Sequence, residues 1–219
     1  MAIVAISERN SSTTEDRKLL DGTLTLSPLA EIQSSCFSGR NVVGMYSSVN
    51  RSTFGSFSNV GVSSYISDSM VGRFTLIGSR VSIGGFGHPL SYLSIGAFQW
   101  GQNLEAWGYP RDFSKNFDSN IRPKRVLTEI GSDCWVGDNS VVLAGRKLGH
   151  GCIVGAGSVV TNDVPPYAIV VGNPAKVIRF RFSDDLISQL IETHWWELEI
   201  EDLVNIDFTN PNFFLGDKK

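Results

Sequence analysis

The sequence predicts an all-β fold, a parallel β-helix with a long inserted loop and a C-terminal α-helix, from three observations. Ile130, Val136, Val142, Leu148, Val154 and Val160 recur every six residues, and glycine follows four of them. The same spacing returns at Val71, Ile77 and Ile83, followed by Gly72, Gly78 and Gly84. Between the two blocks the phase is lost from Gly85 to Glu129. An α-helix repeats near 3.6 residues and a strand near 2.0, so a strict period of six means short strands separated by sharp turns, with one inward aliphatic plug per strand.

Three hexads make a triangular coil of eighteen residues, and coils stack about 4.8 Å apart, the spacing of paired strands. Ile130 then stacks under Leu148, Val136 under Val154 and Val142 under Val160. Four residues after each plug stand Cys134, Ser140, Arg146, Cys152, Ser158 and Val164, with Thr75 and Val81 upstream. Most are small, as an inward position beside a turn requires. Cys134 stacks under Cys152, and one coil rise falls within the Cα separation of about 4.4–6.8 Å that a disulfide tolerates. With three cysteines in all, Cys36 being the third, both are read as reduced core fillers of a protein in a reducing cytoplasm. Arg146 and Lys147 break the pattern. A buried guanidinium without a partner is costly, so the corner must bulge or Arg146 must turn outward.

The ends and the insertion follow from composition. The stretch from Ala2 to Ile6 is too short for a signal peptide or a membrane span, and residues 7–22, rich in Ser, Thr and charge, read as a loosely ordered lead-in. The expected boundaries are 1–42 for the lead-in and first irregular strands, 43–182 for the β-helix and 183–219 for a helical cap. Ser183 can cap a helix whose first turn holds Asp184 and Asp185, and Leu186, Ile187, Leu190 and Ile191 give it one apolar face that should close the end of the coil. The insertion, residues 85–129, carries Phe86, Tyr92, Phe98, Trp100, Trp107, Tyr109, Phe113 and Phe117, too many aromatics for a solvated tether. A rigid coil that extrudes such a loop builds one wall of a pocket. Its first ionisable residue is His88, which follows a Gly-rich approach and precedes Pro89. A net charge of −3 gives no electrostatic case for nucleic acid.

The run from Ile130 to Asn139, the run from Val154 to Pro166 and the Val171-Gly-Asn-Pro-Ala-Lys-Val-Ile-Arg179 segment together resemble the hexapeptide-repeat acyltransferases. The likeness is greatest to the xenobiotic acetyltransferase branch, which also contains polysaccharide O-acetyltransferases. A His-Pro opening a long aromatic loop and a terminal helix ending in Trp195-Trp196 support that branch. The resemblance implies a left-handed coil and a homotrimer with three sites. Acetyl-CoA would serve as acyl donor in the groove between neighbouring coils, without a metal. Outward positions give independent support for self-association: Trp135 beside Ile153 and Val141 beside Val159 form two apolar strips, which proteins normally cover.

Acyl transfer to a hydroxyl needs a positioned base, and imidazole has the suitable pKa; His88 is the candidate, with a loop-packing role as its alternative. His150, in a Gly-His-Gly corner, reads as a surface turn residue, and His194 as a packing or capping one. The resemblance places Trp135 near the thioester end of the donor, with oligomer packing as the alternative, and the backbone of Ala156 along its pantetheine arm. Thr161 and Asn162 match a Thr-Lys pair of related enzymes, the lysine's charge being absent here. Lys176 and Arg179 remain to meet the phosphates of CoA, or are ordinary solvated charge. A zinc site of three histidines on this coil would need His88, His150 and His194 to converge, which their placement disfavours. The expected reaction is direct transfer from acetyl-CoA to a hydroxyl of a sugar or polysaccharide precursor. The alternatives are an antibiotic hydroxyl and the amine of an amino sugar nucleotide.

Overall fold

The computed structural model describes residues 4–6, 10–11, 17–19, 24–88, 90–96, 98, 104–110 and 125–213. They form a β-solenoid whose three faces are six-, nine- and seven-stranded sheets. The nine expected plugs all point inward, none more than 4% exposed. Ile130 pairs with Leu148, Val136 with Val154 and Val142 with Val160, the eighteen-residue ladders that the spacing predicts.

Upstream the coil is shorter. Phe37, Phe54 and Val71 form one ladder, Val43, Val60 and Ile77 a second, and Val49, Ile66 and Ile83 a third, each with rungs seventeen residues apart. The residue saved comes from the corner between the seven- and six-stranded faces. Ser34, Arg51 and Asp68 each turn it alone, with φ of 50°, 46° and 49°. The other corners are lined by hydroxyls. Ser47 Oγ donates to Gly61 O at 2.6 Å and accepts the Ser64 amide at 3.0 Å; Ser64 Oγ repeats this with Gly78 O and the Val81 amide. A small hydroxyl at each corner thus satisfies turn groups that burial would otherwise orphan.

The N-terminal end is more regular than expected. The lead-in contains three antiparallel strands, one per face: Val4–Ile6 on Ser35–Phe37, Asn10–Ser11 on Glu31–Gln33 and Arg17–Leu19 on Leu24–Leu26. They pair the edges that the first coil would leave open. Parallel pairing begins with Leu24–Leu26 against Asn41–Val43, upstream of residue 43. At the other end, helix α1 (Asp184–Thr193) starts at Ser183, whose hydroxyl accepts the Leu186 amide, and buries Ile187 and Leu190 against Tyr167. The chain then runs along a corner of the coil. Trp195 stacks on Phe74 at 5.8 Å between ring centroids, Phe74 on Phe57 at 5.1 Å, and Trp196 on His150 at 4.2 Å. His150 is therefore a half-buried anchor for this arm rather than a surface turn residue. His194 is the C-cap, in the left-handed region at φ 47°.

Two sequence puzzles resolve locally. The Cys134 and Cys152 sulfurs are 3.7 Å apart as free, buried thiols. Arg146 turns outward to Asp163 at 3.8 Å, while Lys147 Nζ meets Glu129 at 2.9 Å. The corner has room for this because it holds one residue more than its seventeen-residue counterparts and bends at Gly145, φ +75°.

Leu148 lies mid-ladder at 3% exposure, so Leu148→Ala is expected to cost about 2–5 kcal/mol, read as a lower urea midpoint at unchanged slope. A midpoint equal to the parent's contradicts the ladder. His150 supplies a second test. Burial lowers its pKa, His194 adding to the effect and Glu197 opposing it, and its Nδ1 accepts the Ser132 amide at 2.9 Å, which needs the neutral ring. A depressed histidine contributes stability that is complete above the unfolded value of about 6.5 and is lost as pH falls from there towards the folded value. Acidification through that window should lower the urea midpoint of the parent and act less on His150→Asn; parallel declines in both proteins argue against it.

Candidate active site

The insertion leaves the coil at the corner that Asp68 turns one rung earlier. Gly84 (φ +78°) and Gly85 (φ +92°) turn the chain out, and a Cβ at Gly84 would strike the Ser67 carbonyl, so the exit requires glycine. His88 follows four residues later, exposed, with Nδ1 2.7 Å from Ile95 O. A carbonyl only accepts, so Nδ1 carries the hydrogen and the basic lone pair of the neutral ring is on Nε2. Phe86 stands 6.3 Å from the imidazole, and Leu90, Leu93, Ile95, Trp107 and Tyr109 are exposed in the same insertion. Pro89, Trp100, Phe113 and Phe117 lie outside the described residues.

The remaining predicted residues fall into three places. Thr161 and Asn162 occupy the corner from which the insertion leaves, two rungs on, because Gly84 pairs with Leu143 and the strand Val141–Leu143 with Val159–Val160. Two rungs are about 10 Å. Ala156 lies at the far end of the strand Val159–Val160, at the next corner, packed so closely that a Cβ on Gly137 would meet its amide nitrogen at 2.7 Å. Gly157 beside it has no atom within 4 Å of its Cβ position, an open flank along the corner.

Trp135 stands on the nine-stranded face between Leu76 and Ile153, 55% exposed, in an outward column that includes Val42 and Leu76. Lys176 and Arg179 are exposed on the strand Ala175–Phe180, opposite Val171 and Ile169. Residues three apart on a regular strand point to opposite faces. Here a register shift between Ile169 and Val170 leaves Ile178 as an extra residue, so Lys176 and Arg179 come to one side. Ile169 in turn pairs with Ile153, which puts both cations on Trp135's side of the sheet.

One chain therefore places the insertion's exit, Thr161 and Asn162 at one corner and Trp135, Lys176 and Arg179 on a different face, with Ala156 at the corner between. The seven-stranded face separates the two groups by about 15–20 Å, the length of five or six extended residues. The six-stranded face differs in character. Its groove, about 610 Å³, sets Glu129, Lys147, Asp163 and His150 beside a mainly apolar lining that includes Met70, Val164, Pro165 and Pro166. Sequence reasoning missed Arg51 and Asp68, which brace the corner beneath His88. Their signal is the seventeen-residue recurrence of Ser34, Arg51 and Asp68, each followed by serine. Among the described residues no group of three or more His, Cys, Asp or Glu side chains could hold a metal ion, and no helix is long and apolar enough to cross a membrane.

Residues 127–162 match the family model described as bacterial transferase hexapeptide (six repeats). A chloramphenicol acetyltransferase from Klebsiella aerogenes is 42% identical over 131 residues, 58% of this chain and 59% of that protein. A probable macrolide acetyltransferase from Lysinibacillus sphaericus is 43% identical over 81 residues, 37% of this chain and 45% of that protein. The matched segments span 33% to 59% of the length of the chloramphenicol acetyltransferase relatives. AntD, an N-acyltransferase from Bacillus cereus solved with dTDP and 3-hydroxybutyryl-CoA, shares the fold at 17% identity and a TM-score of 0.52, over 78% of this chain and 88% of that one. The chain thus carries the hexapeptide repeat of the bacterial transferases on a β-solenoid, and its relatives in sequence are acetyltransferases.

Proposed function

We propose that the protein is an acetyl-CoA-dependent O-acetyltransferase with His88 as general base. The observation that carries this reading is the Nδ1–H···O=C bond from His88 to Ile95, because it fixes the tautomer whose basic nitrogen is Nε2. Nε2 takes the proton of the acceptor hydroxyl as that oxygen attacks the thioester carbonyl. The carbon–sulfur bond then breaks, and the thiolate of CoA recovers the proton, giving an acetyl ester and free CoA. Cys134 and Cys152 are disfavoured as nucleophiles: both are buried, and the Cys152 thiol is pushed well up by its hydrogen bond to Cys134 and by burial.

This reading puts the acyl donor on the surface between the two apolar strips. The open flank at Gly157 admits a slender chain beside Ala156, and Lys176 and Arg179 on one side of their strand suit phosphate oxygens. In one chain the corner from which the insertion leaves and the face that carries Trp135 are separated by the seven-stranded face. A closed ring of copies, the homotrimer that the sequence reading expects, would bring the corner of one chain to the nine-stranded face of the next and cover both strips. For the acceptor, the exposed Leu90, Leu93 and Ile95 beside His88 favour a hydroxyl on a largely apolar molecule, in keeping with the antibiotic acetyltransferases among the relatives. A sugar or polysaccharide-precursor hydroxyl is the second reading, favoured by the exposed rings of Trp107 and Tyr109, on which pyranose faces stack. The cytoplasm is the compartment where acetyl-CoA and free cysteines would both be met.

Two measurements test the reading. His88→Ala should lower kcat by about 10²- to 10⁴-fold while acetyl-CoA binding by calorimetry is retained; near-parental turnover on every acceptor rules out an imidazole base. Lys176→Ala with Arg179→Ala should raise KM for acetyl-CoA by about tenfold with little change in kcat, and an unchanged KM removes them from the donor site.

A further inference from the structure

Asp68 turns the corner directly beneath the insertion's exit, and its side chain is 9% exposed. Arg51, at the same corner one rung down, grips it with both prongs: Nε to Oδ1 and Nη2 to Oδ2, each at 2.8 Å. Ser67 Oγ closes the network, accepting from Arg51 Nη2 at 2.8 Å and donating to Asp68 Oδ2 at 2.6 Å. The Arg51 guanidinium holds the Asp68 carboxyl below its ordinary range, so the pair is charged at neutral pH.

Both stems of the insertion rest on this corner. The outgoing stem leaves at Gly84, which pairs with Ser67 and sits against its carbonyl. The returning stem enters at Thr128, which pairs with Ser69 and whose amide donates to Asp68 O at 2.9 Å. Arg125, three residues before Thr128, brings its Nε to 3.9 Å from Asp68 Oδ1. One carboxylate thus faces a cation fixed in the coil and a cation carried by the loop, while its own backbone receives the loop's return strand.

We infer that Arg51, Asp68 and Arg125 form a clamp that fixes both stems of the insertion and so sets the position of His88, making them positioning residues for the acyl transfer. The inference rests on the reading of His88 as base. A misplacement of about 1 Å in a reacting group costs on the order of 10²-fold in rate, so a clamp at the loop's root acts on turnover without touching substrate. The proposed donor contacts Ala156, Lys176 and Arg179 lie beyond this corner, so the clamp acts little on acetyl-CoA binding.

The test pairs kinetics with hydrogen exchange on the full chain. Arg125 is 62% exposed at its side chain, so Arg125→Met leaves the coil folded. In that variant amides of residues 84–96 should exchange about fivefold faster and kcat should fall about tenfold, with KM for acetyl-CoA within about twofold of the parent; Arg125→Lys should restore most of both. Asp68→Asn should act in the same sense and more strongly. Unchanged exchange in Arg125→Met overturns the clamp. So does faster exchange at parental kcat in a background where His88→Ala is inactive, or a kcat deficit that Arg125→Lys shares in full. Should His88→Ala keep full turnover, the base assignment fails, and the clamp is then decided by exchange alone.

Discussion

One aliphatic side chain per strand, held in vertical register, is the constraint on which the architecture depends. A triangular coil encloses only enough volume for three such plugs and a few small corner groups, so each rung has to supply an inward branched residue at the right step or the prism opens. Phe37 and Phe54 stacked at 5.1 Å near one end, and Val136 over Val154 near the other, are the same solution with different volumes. Glycine after the plug, as at Gly72 and Gly131, lets neighbouring rungs approach where a Cβ would meet backbone within 3 Å.

That constraint was legible where the step is strictly six. The period identified the coil from Ile130 to Val160, placed the plugs inside and located the insertion, since loss of phase is as readable as its presence. It failed upstream of Val71 because a corner turned by a single left-handed residue gives steps of six, six and five, and a search for one fixed period passes over it. The N-terminal strands were hidden for a different reason. Asn10–Ser11 and Arg17–Leu19 have neither alternation nor β-branched enrichment; they are strands because the edges of the first coil offer them partners, a tertiary override of local propensity.

Candidate residues could be named one by one from the sequence, and their arrangement less so. The Gly-rich opening of the aromatic loop singled out His88 and resemblance supplied Trp135, Ala156 and the two cations, but spacing alone would have put Lys176 and Arg179 on opposite sides of their strand. The extra residue at Ile178 reverses that. Likewise Arg51 and Asp68 are seventeen residues apart and lack any motif, and only the rung spacing of the early coils makes them neighbours.

The insertion interrupts the chain between two strands that pair as though it were absent: Ile83 meets Val142 across it much as Val142 meets Val160 without it. A segment rooted in this way adds nothing to the register on either side, so its length and composition are free to drift while the prism stays as it was. On the proposed reading, recognition of the acceptor can then be rewritten without disturbing the surface that would grip the donor, and a single scaffold of this kind can serve chemically unrelated acceptors.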